Sequence, residues 1–358
     1  MNPAIKVPHR SLGSGPLGKQ AGLSIIELMI ALLLGSLLIL GVTQIFISNS
    51  QTFRINEATA RVQENARLAS EILGRAIRGA GFVGCKPTNA IENQLAPFSG
   101  TPTARQQFMY GLRAGRGITS ETQFRPASGT SNVAGTAQPD TDFFAVSRVS
   151  SSGSFVSAPT VNSASFNVDN RGDLVAGDIV LVGNCVNADI AQISSLTVVG
   201  GGPQAALSFT DASATPGNAL AGNAPTGCTT TPCLGAVYAP AHVMRLENEG
   251  YFIGEAIDGS NGLFLTDGAN TFELVSGIED MQVRYAVGSP PTYVDTPTNW
   301  DDVNGVQLSL LVRGGAADLL DAPQALCYPS WSSSCPVTMP DNALYRVVEF
   351  VTTLRNPL

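Results

Sequence analysis

The sequence predicts an α+β fold, with one long N-terminal α-helix packed on a C-terminal antiparallel β-sheet head domain that carries long loops. Three observations predict it. Residues 23–47 are an apolar run in which Glu27 is the only charge, and apolar residues keep recurring at helical spacing beyond that run. After residue 80 the pattern changes to alternation with period 2, which belongs to strands with one buried face. The chain also holds 37 glycines and 22 prolines but only 13% charged residues, a mixture that suits an exported β-rich domain better than a helical cytosolic enzyme.

Residues 1–22 contain Lys6, Arg10 and Lys19 and no acid. Basic residues ahead of an apolar span keep the N-terminus in the cytoplasm and send the remainder across the membrane. The run 23–47 reaches about 37 Å as a helix, more than the ~30 Å hydrocarbon core requires. "SNS" at 48–50 offers the small-x-small site of a secretory signal, but the run is well beyond a signal's usual ~15 apolar residues and contains an acid. Helical spacing resumes at Ile55, Val62, Ala69, Ile72, Leu73, Ala76 and Ile77. Glu57 with Arg61 and Glu71 with Arg75 are i,i+4 pairs in the favourable order. No proline interrupts 23–86, and Gly79 and Gly81 supply the stop. The reading is therefore a helix over 23–79, about 85 Å long, whose first part spans a membrane. The apolar stripe of its second part must bury against something.

The head, 80–358, announces its strands late. "MQVRYAV" places Met281, Val283, Tyr285 and Val287 on one face, and "VQLSLLV" does the same for Val306, Leu308, Leu310 and Val312. "GDIVLVG" at 177–183 reads as a short buried strand, and "YRVVEFVTTLR" at 345–355 as a β-branched terminal one. The Gly/Ser/Thr/Asn/Pro-rich stretches 126–140 and 200–235 read as inserted loops. One head domain is expected, with 125–240 the place for a subdomain.

The formal charge is −8, and would become −11 if residues 1–22, with their three cations and no acid, were removed. Lys86 is then the only lysine. Acidity of this kind argues against a nucleic-acid partner, since phosphate binding rests on basic residues. The six cysteines, Cys85, Cys185, Cys228, Cys233, Cys327 and Cys335, form an even set that favours disulfides in an exported chain. Spacing suggests the small loops Cys228–Cys233 and Cys327–Cys335, leaving Cys85 with Cys185; other connectivities stay open. A zinc site would need compact clusters with histidines, and beyond residue 22 only His242 is available.

No catalytic constellation is visible. His242 in "PAHVMRL" has no G-x-S-x-G partner motif. Asp169, Asp173 and Asp178 in "VDNRGDLVAGD" lack the calcium-loop pattern, and Arg171-Gly172-Asp173 reads as a Gly-containing turn. "GGPQ" at 201–204 is not followed by the Lys-Ser/Thr of a phosphate loop. The expectation is no enzyme, no cofactor and no metal.

Gly22, Leu23 and Glu27, in "GLSIIELMIALLLG", stand as glycine, apolar residue and acid four residues further on, after a basic leader. This arrangement resembles the type IV pilin and pseudopilin family. The resemblance implies a leader 1–22, cut by a prepilin peptidase between Gly22 and Leu23, and N-methylation of the new terminus at Leu23. It implies that Glu27 meets the α-amine of a neighbouring subunit during assembly. A carboxylate in the membrane costs least near the helix end, and a buried ion pair is best known for fixing register. Leu23 departs from the phenylalanine commonest there, without leaving the apolar class.

"GFVGC", "GDIVLVGNC" followed by "ADIAQI", and the terminal "VTTLRN" resemble the PilW branch of minor pilins, in which a strand ending in cysteine is consistent with Cys85–Cys185 pairing. "FELVSGIEDMQVRYAVG" with "NWDDVNGVQLSLLVR" resembles both that branch and the J pseudopilin of type II secretion. The resemblance covers 1–85, 170–195 and 270–358. It implies an inner-membrane protein with a periplasmic head, later part of a surface pilus used in twitching motility. Its partners would be other minor pilins, the major pilin, the prepilin peptidase, the inner-membrane assembly platform and membrane lipid. The alternatives are a secretion pseudopilin and, in a different class, a ligand-binding adhesin or DNA-uptake pilin.

Overall fold

The computed structural model describes residues 22, 24–85, 91–95, 118–119, 136–156, 164–210, 217–218, 234–238, 240–267 and 270–355. The chain divides into two compact units, Met1–Arg54 and Ile55–Leu358. One helix, α1 (Ile25–Gly79), contributes to both.

In the first unit α1 begins directly after Ser24, whose carbonyl accepts the Leu28 N–H at 3.1 Å. In the second unit the helix buries Ala58, Val62, Ala66, Ala69, Leu73, Gly74, Ala76 and Ile77. These positions recur every three or four residues, so they form one stripe, and most are small. Small residues let the helix axis lie close to a sheet. The helix stops where expected: Gly79 is its last residue and Gly81 takes φ 73°, a conformation that suits a residue without Cβ. The departing chain is tied down at once, since Gly81 N–H donates to Ser147 O at 2.8 Å and Phe82 O accepts from Val149 N–H at 2.8 Å.

Two sheets carry the helix. The larger runs, in spatial order, Ile91–Asn93, Ala188–Gln192, Ile179–Gly183, Ala241–Glu255, Asn261–Thr266 and Thr271–Ser276, with Phe144–Val156 also paired to Ala241–Glu255 and Ile118–Thr119 paired to Phe144–Val156. The 15-residue strand Ala241–Glu255 is the spine, pairing with Ile179–Gly183 through its first half and with Asn261–Thr266 through its second. The smaller sheet is antiparallel throughout: Thr292–Val294, Ile278–Val287, Val303–Gly314, Leu344–Thr353. Val306, Leu308, Leu310 and Val312 are all fully buried on its helix side, with Met281, Val283 and Tyr285 beside them. The same core takes Phe144, Val146, Tyr251 and Ile253 from the larger sheet, so the helix stripe seats over residues of both.

Sequence reading misplaced the region between the motifs. The stretch 200–235 is not all loop: Ala205–Ser208 is a strand between Ser165–Val168 and Ser195–Val198, with Ala205 and Leu207 buried. Along with Val156, Val180, Val182, Phe209, Tyr238 and Val243 these residues fill a second core inside the same unit. Of 126–140 only 136–140 are described, and there Ala137 is buried and bridges to Gly254. The strands Phe144–Val156 and Ala241–Glu255 fall where no motif was recognised. Serines, glycines and an Arg/Glu series break their apolar alternation, and neighbouring strands supply the burial instead.

Candidate assembly site

The first unit contains the one helix stretch, among the described residues, that is long and apolar enough to cross a membrane. Its side chains are exposed around the whole circumference, Phe46 at 73% and Ile25 at 79%. A helix apolar on every side is not stable facing water and requires lipid or other helices. Its hydroxyls turn inward: Ser36 Oγ donates to Leu33 O at 2.9 Å, Thr43 Oγ1 to Ile39 O at 2.8 Å and Thr52 Oγ1 to Ser48 O at 2.9 Å. Such back-bonds hide polar hydrogens from an apolar environment.

Glu27 lies in the first turn of α1 and is exposed. Counting from Ser24 as the residue ahead of the helix, it stands at the third helical position, the S-x-x-E spacing of a capping box. An acid there also complements the positive end of the helix dipole. The residue therefore has a local use as well as the intersubunit one that the resemblance implies. Gly22 is exposed with open space around it, while Leu23 and residues 1–21 lie outside the described residues.

The second half of α1 is locked to the head at its C-terminal end. Arg148, on Phe144–Val156, reaches both carboxylate oxygens of Glu249 at 3.1 and 2.7 Å, and Glu247 at 3.3 Å. Its side chain passes beside Gly79, so a cation sits at the negative end of the helix dipole. Burial opposes its charge, yet Glu249 and Glu247 outweigh that and raise its pKa. Burial, with Glu249 next to it, likewise pushes the Tyr251 hydroxyl upward.

Cys85 is disulfide-bonded to Cys185, with Cα atoms 5.1 Å apart, and Cys327 to Cys335. The first bond joins the segment leaving α1 to the end of the buried strand Ile179–Gly183. Cys228 and Cys233 lie outside the described residues. The other residues singled out in the sequence do not converge. His242 is exposed, its ring edge-on to Phe155 at 5.3 Å. Asp169 accepts Phe155 N–H at 2.8 Å, Asp173 pairs with Arg245 at 3.0 Å and Asp178 accepts Val175 N–H at 3.0 Å. All three hold turns and neighbouring strands in place. Arg171-Gly172-Asp173 is a turn, closed by Leu174 N–H on Arg171 O at 3.0 Å.

Sequence reading missed two carboxylates, one buried and one half-buried. Asp189, on Ala188–Gln192, accepts hydrogen bonds from Tyr238 Oη, from Gln94 Nε2 at 2.7 Å and from Gly235 N–H at 3.1 Å. Burial raises its pKa against those bonds. It thereby joins three separate chain segments. Asp280, on Ile278–Val287, is raised to about 6, chiefly by burial and further by nearby Asp142. The available signal in each case was an acid within an otherwise apolar strand pattern, "ADIAQI" and "GIEDMQV".

Residues 251–356 match the family model described as PilW, type IV pilus-assembly protein W. The match takes in the entire four-stranded sheet and starts within the spine strand, earlier than the resemblance read from sequence. No curated protein matches the chain. Among solved structures, it is similar to a type IV-like pilin, TTHA1219 from Thermus thermophilus, at 15% identity and TM-score 0.20, over 52% of this chain and 87% of that one.

Proposed function

We propose that this chain, a type IV pilin-like protein of the PilW type, is a minor pilin that acts structurally, priming pilus assembly or standing at the pilus tip. The observation that carries the reading is the two-part helix α1. Residues 25–47 are apolar and exposed all round apart from Glu27, whereas 58–77 bury a single stripe in the head. A helix built this way can pass from lipid into a bundle of like helices without remaking its own head. In this reading the prepilin peptidase cuts between Gly22 and Leu23, Leu23 is N-methylated, and the new α-amine pairs with Glu27 of a neighbouring pilin. The head lies in the periplasm until the subunit leaves the membrane for the pilus.

Intact mass and the N-terminal peptide of protein taken from membranes test the processing step. A chain beginning at methylated Leu23 is expected; a start at Gln51 or an intact Met1 would overturn the proposal. One variant separates the two uses of Glu27. Glu27→Gln keeps a capping acceptor and loses the charge, so it should fold yet fail to enter pili. Assembly of Glu27→Gln at the parent level would leave only the local role. The J-type secretion pseudopilin shares these features, and recovery from a periplasmic pseudopilus in place of surface pili would favour it.

A further inference from the structure

Between strands Val303–Gly314 and Leu344–Thr353 the chain makes an excursion over the outer face of the four-stranded sheet, the face turned away from α1. The Cys327–Cys335 bond closes a loop within it. Tyr328 plugs this loop into an apolar cluster with Leu311, Met339, Ala343 and Tyr345, against which Val347 packs. The polar grip falls on two carboxylates. Tyr328 Oη is hydrogen-bonded to Asp280 and lies 3.3 Å from Ser309 O. Ser330 donates to Glu349 twice, from its N–H at 2.8 Å and its Oγ at 2.6 Å. The guanidinium of Arg284, itself paired with Asp295, lies 5.4 Å from the Trp331 ring centre. At the far end of the excursion Arg313 pairs with Asp341, which also accepts from Tyr345 Oη at 3.0 Å. Asp142 is the further acid near Asp280 and Tyr328.

We infer that the Cys327–Cys335 loop is a proton-responsive cover, seated more firmly in acidic solution and loosened as the solution approaches neutrality, where it uncovers Leu311 and Val347. The two carboxylates respond in opposite directions. Asp280 is pushed up to about 6 by burial, to which Asp142 adds, while hydrogen bonds from Gln282, Met281 N–H and Tyr328 act the other way. Lifting the loop would let water reach the carboxyl and return it toward its ordinary value of 3.8. The closed form therefore holds the proton more tightly; closure weakens as pH rises from about 3.8 and levels off above about 6. Partial burial also opposes ionisation of Glu349, but the bonds from Ser330 and Ser309 outweigh it and hold the group below its ordinary 4.5. Closure support from Glu349 is complete above that value and is lost as pH falls below it. Above 4.5 the Glu349 support is constant, so closure falls from there to about 6 and is level beyond it. Two pKa units bound the alkaline loosening at about a hundredfold in the closed-to-open ratio.

The test is hydrogen exchange of the full chain in detergent, read by mass spectrometry for 327–343 and corrected for intrinsic exchange between pH 4 and 8. Protection of that segment should fall between about pH 4.5 and 6 and stay level above it, while strand 303–314 stays protected. Asp280→Asn should abolish that fall, whereas Glu349→Gln, at a group that titrates below it, should leave it in place. If Asp280→Asn loses protection in 303–314, Tyr328→Phe, which keeps the ring and drops the hydroxyl, decides in its place: without the bond that favours the ionised carboxylate the fall should deepen and extend to higher pH. Protection that is constant across the range, a fall that persists in a folded Asp280→Asn protein, or one that shrinks in Tyr328→Phe would overturn the inference.

Discussion

Replacing Gly314 with alanine tests how closely α1 approaches the smaller sheet. Gly314 ends strand Val303–Gly314, paired with Leu344, and has no positive φ that would itself penalise a side chain. In an open position the change would stabilise by about 0.4–1 kcal/mol, because alanine restricts the unfolded chain. Here the added Cβ would meet Val62 Cγ2 and stand 2.7 Å from the Ala58 carbonyl oxygen. Ala58 and Val62 are 2% and 1% exposed, so neither has free space behind it. Val62 can rotate, but the helix carbonyl is fixed by its own hydrogen bond. Overpacking costs typically about 1–3 kcal/mol, and a fixed backbone neighbour puts this site in the upper part of that range. The net expectation is a loss of about 2 kcal/mol, which lowers the unfolding midpoint by roughly 3 °C in a unit of this size. Thermal and urea unfolding of the full chain in detergent measure it. Gly314→Ala with Val62→Ala should recover only part of the loss, since the Ala58 oxygen remains. A single variant as stable as the parent would refute close helix–sheet contact at this point.

Two further outcomes follow from the head. Asp189→Ala leaves Tyr238 Oη, Gln94 and Gly235 N–H without their common acceptor, and should cost at least about 2 kcal/mol in urea unfolding, whereas Asp189→Asn keeps an acceptor and sheds a buried charge, and should cost less than half as much. Equal losses for the two would mean that the charge itself is required. Cys85→Ser with Cys185→Ser opens a bond that spans 100 residues of sequence and should lower stability by about 2–5 kcal/mol, read as an earlier unfolding midpoint under non-reducing conditions with no change in the reduced protein.

The parts of the fold legible in sequence were those governed by local periodicity. The long helix, its stop at Gly79, and the strands around Met281–Tyr285 and Val306–Val312 each bury one face, so their apolar residues recur at the period of their own backbone. Phe144–Val156 and Ala241–Glu255 do not. Arg148, Glu247 and Glu249 occupy core-side positions of those strands because they neutralise one another across the strand pair. That compensation exists only once the strands are adjacent. Asp189 was hidden for the same reason, its partners Gln94 and Tyr238 being 95 and 49 residues distant.

The sequence by itself determined the apolar span, the place of Glu27 at its head, the change from helix to sheet near residue 80, and the number of cysteines, because each is a property of neighbouring residues. The tertiary structure decided which strand serves as spine, the pairing of Cys85 with Cys185, the second core around Ala205 and Leu207, and the gathering of Asp280, Glu349 and Tyr328 under one disulfide loop. Those features depend on burial and on charges brought together from distant positions, and neither exists until the chain has folded.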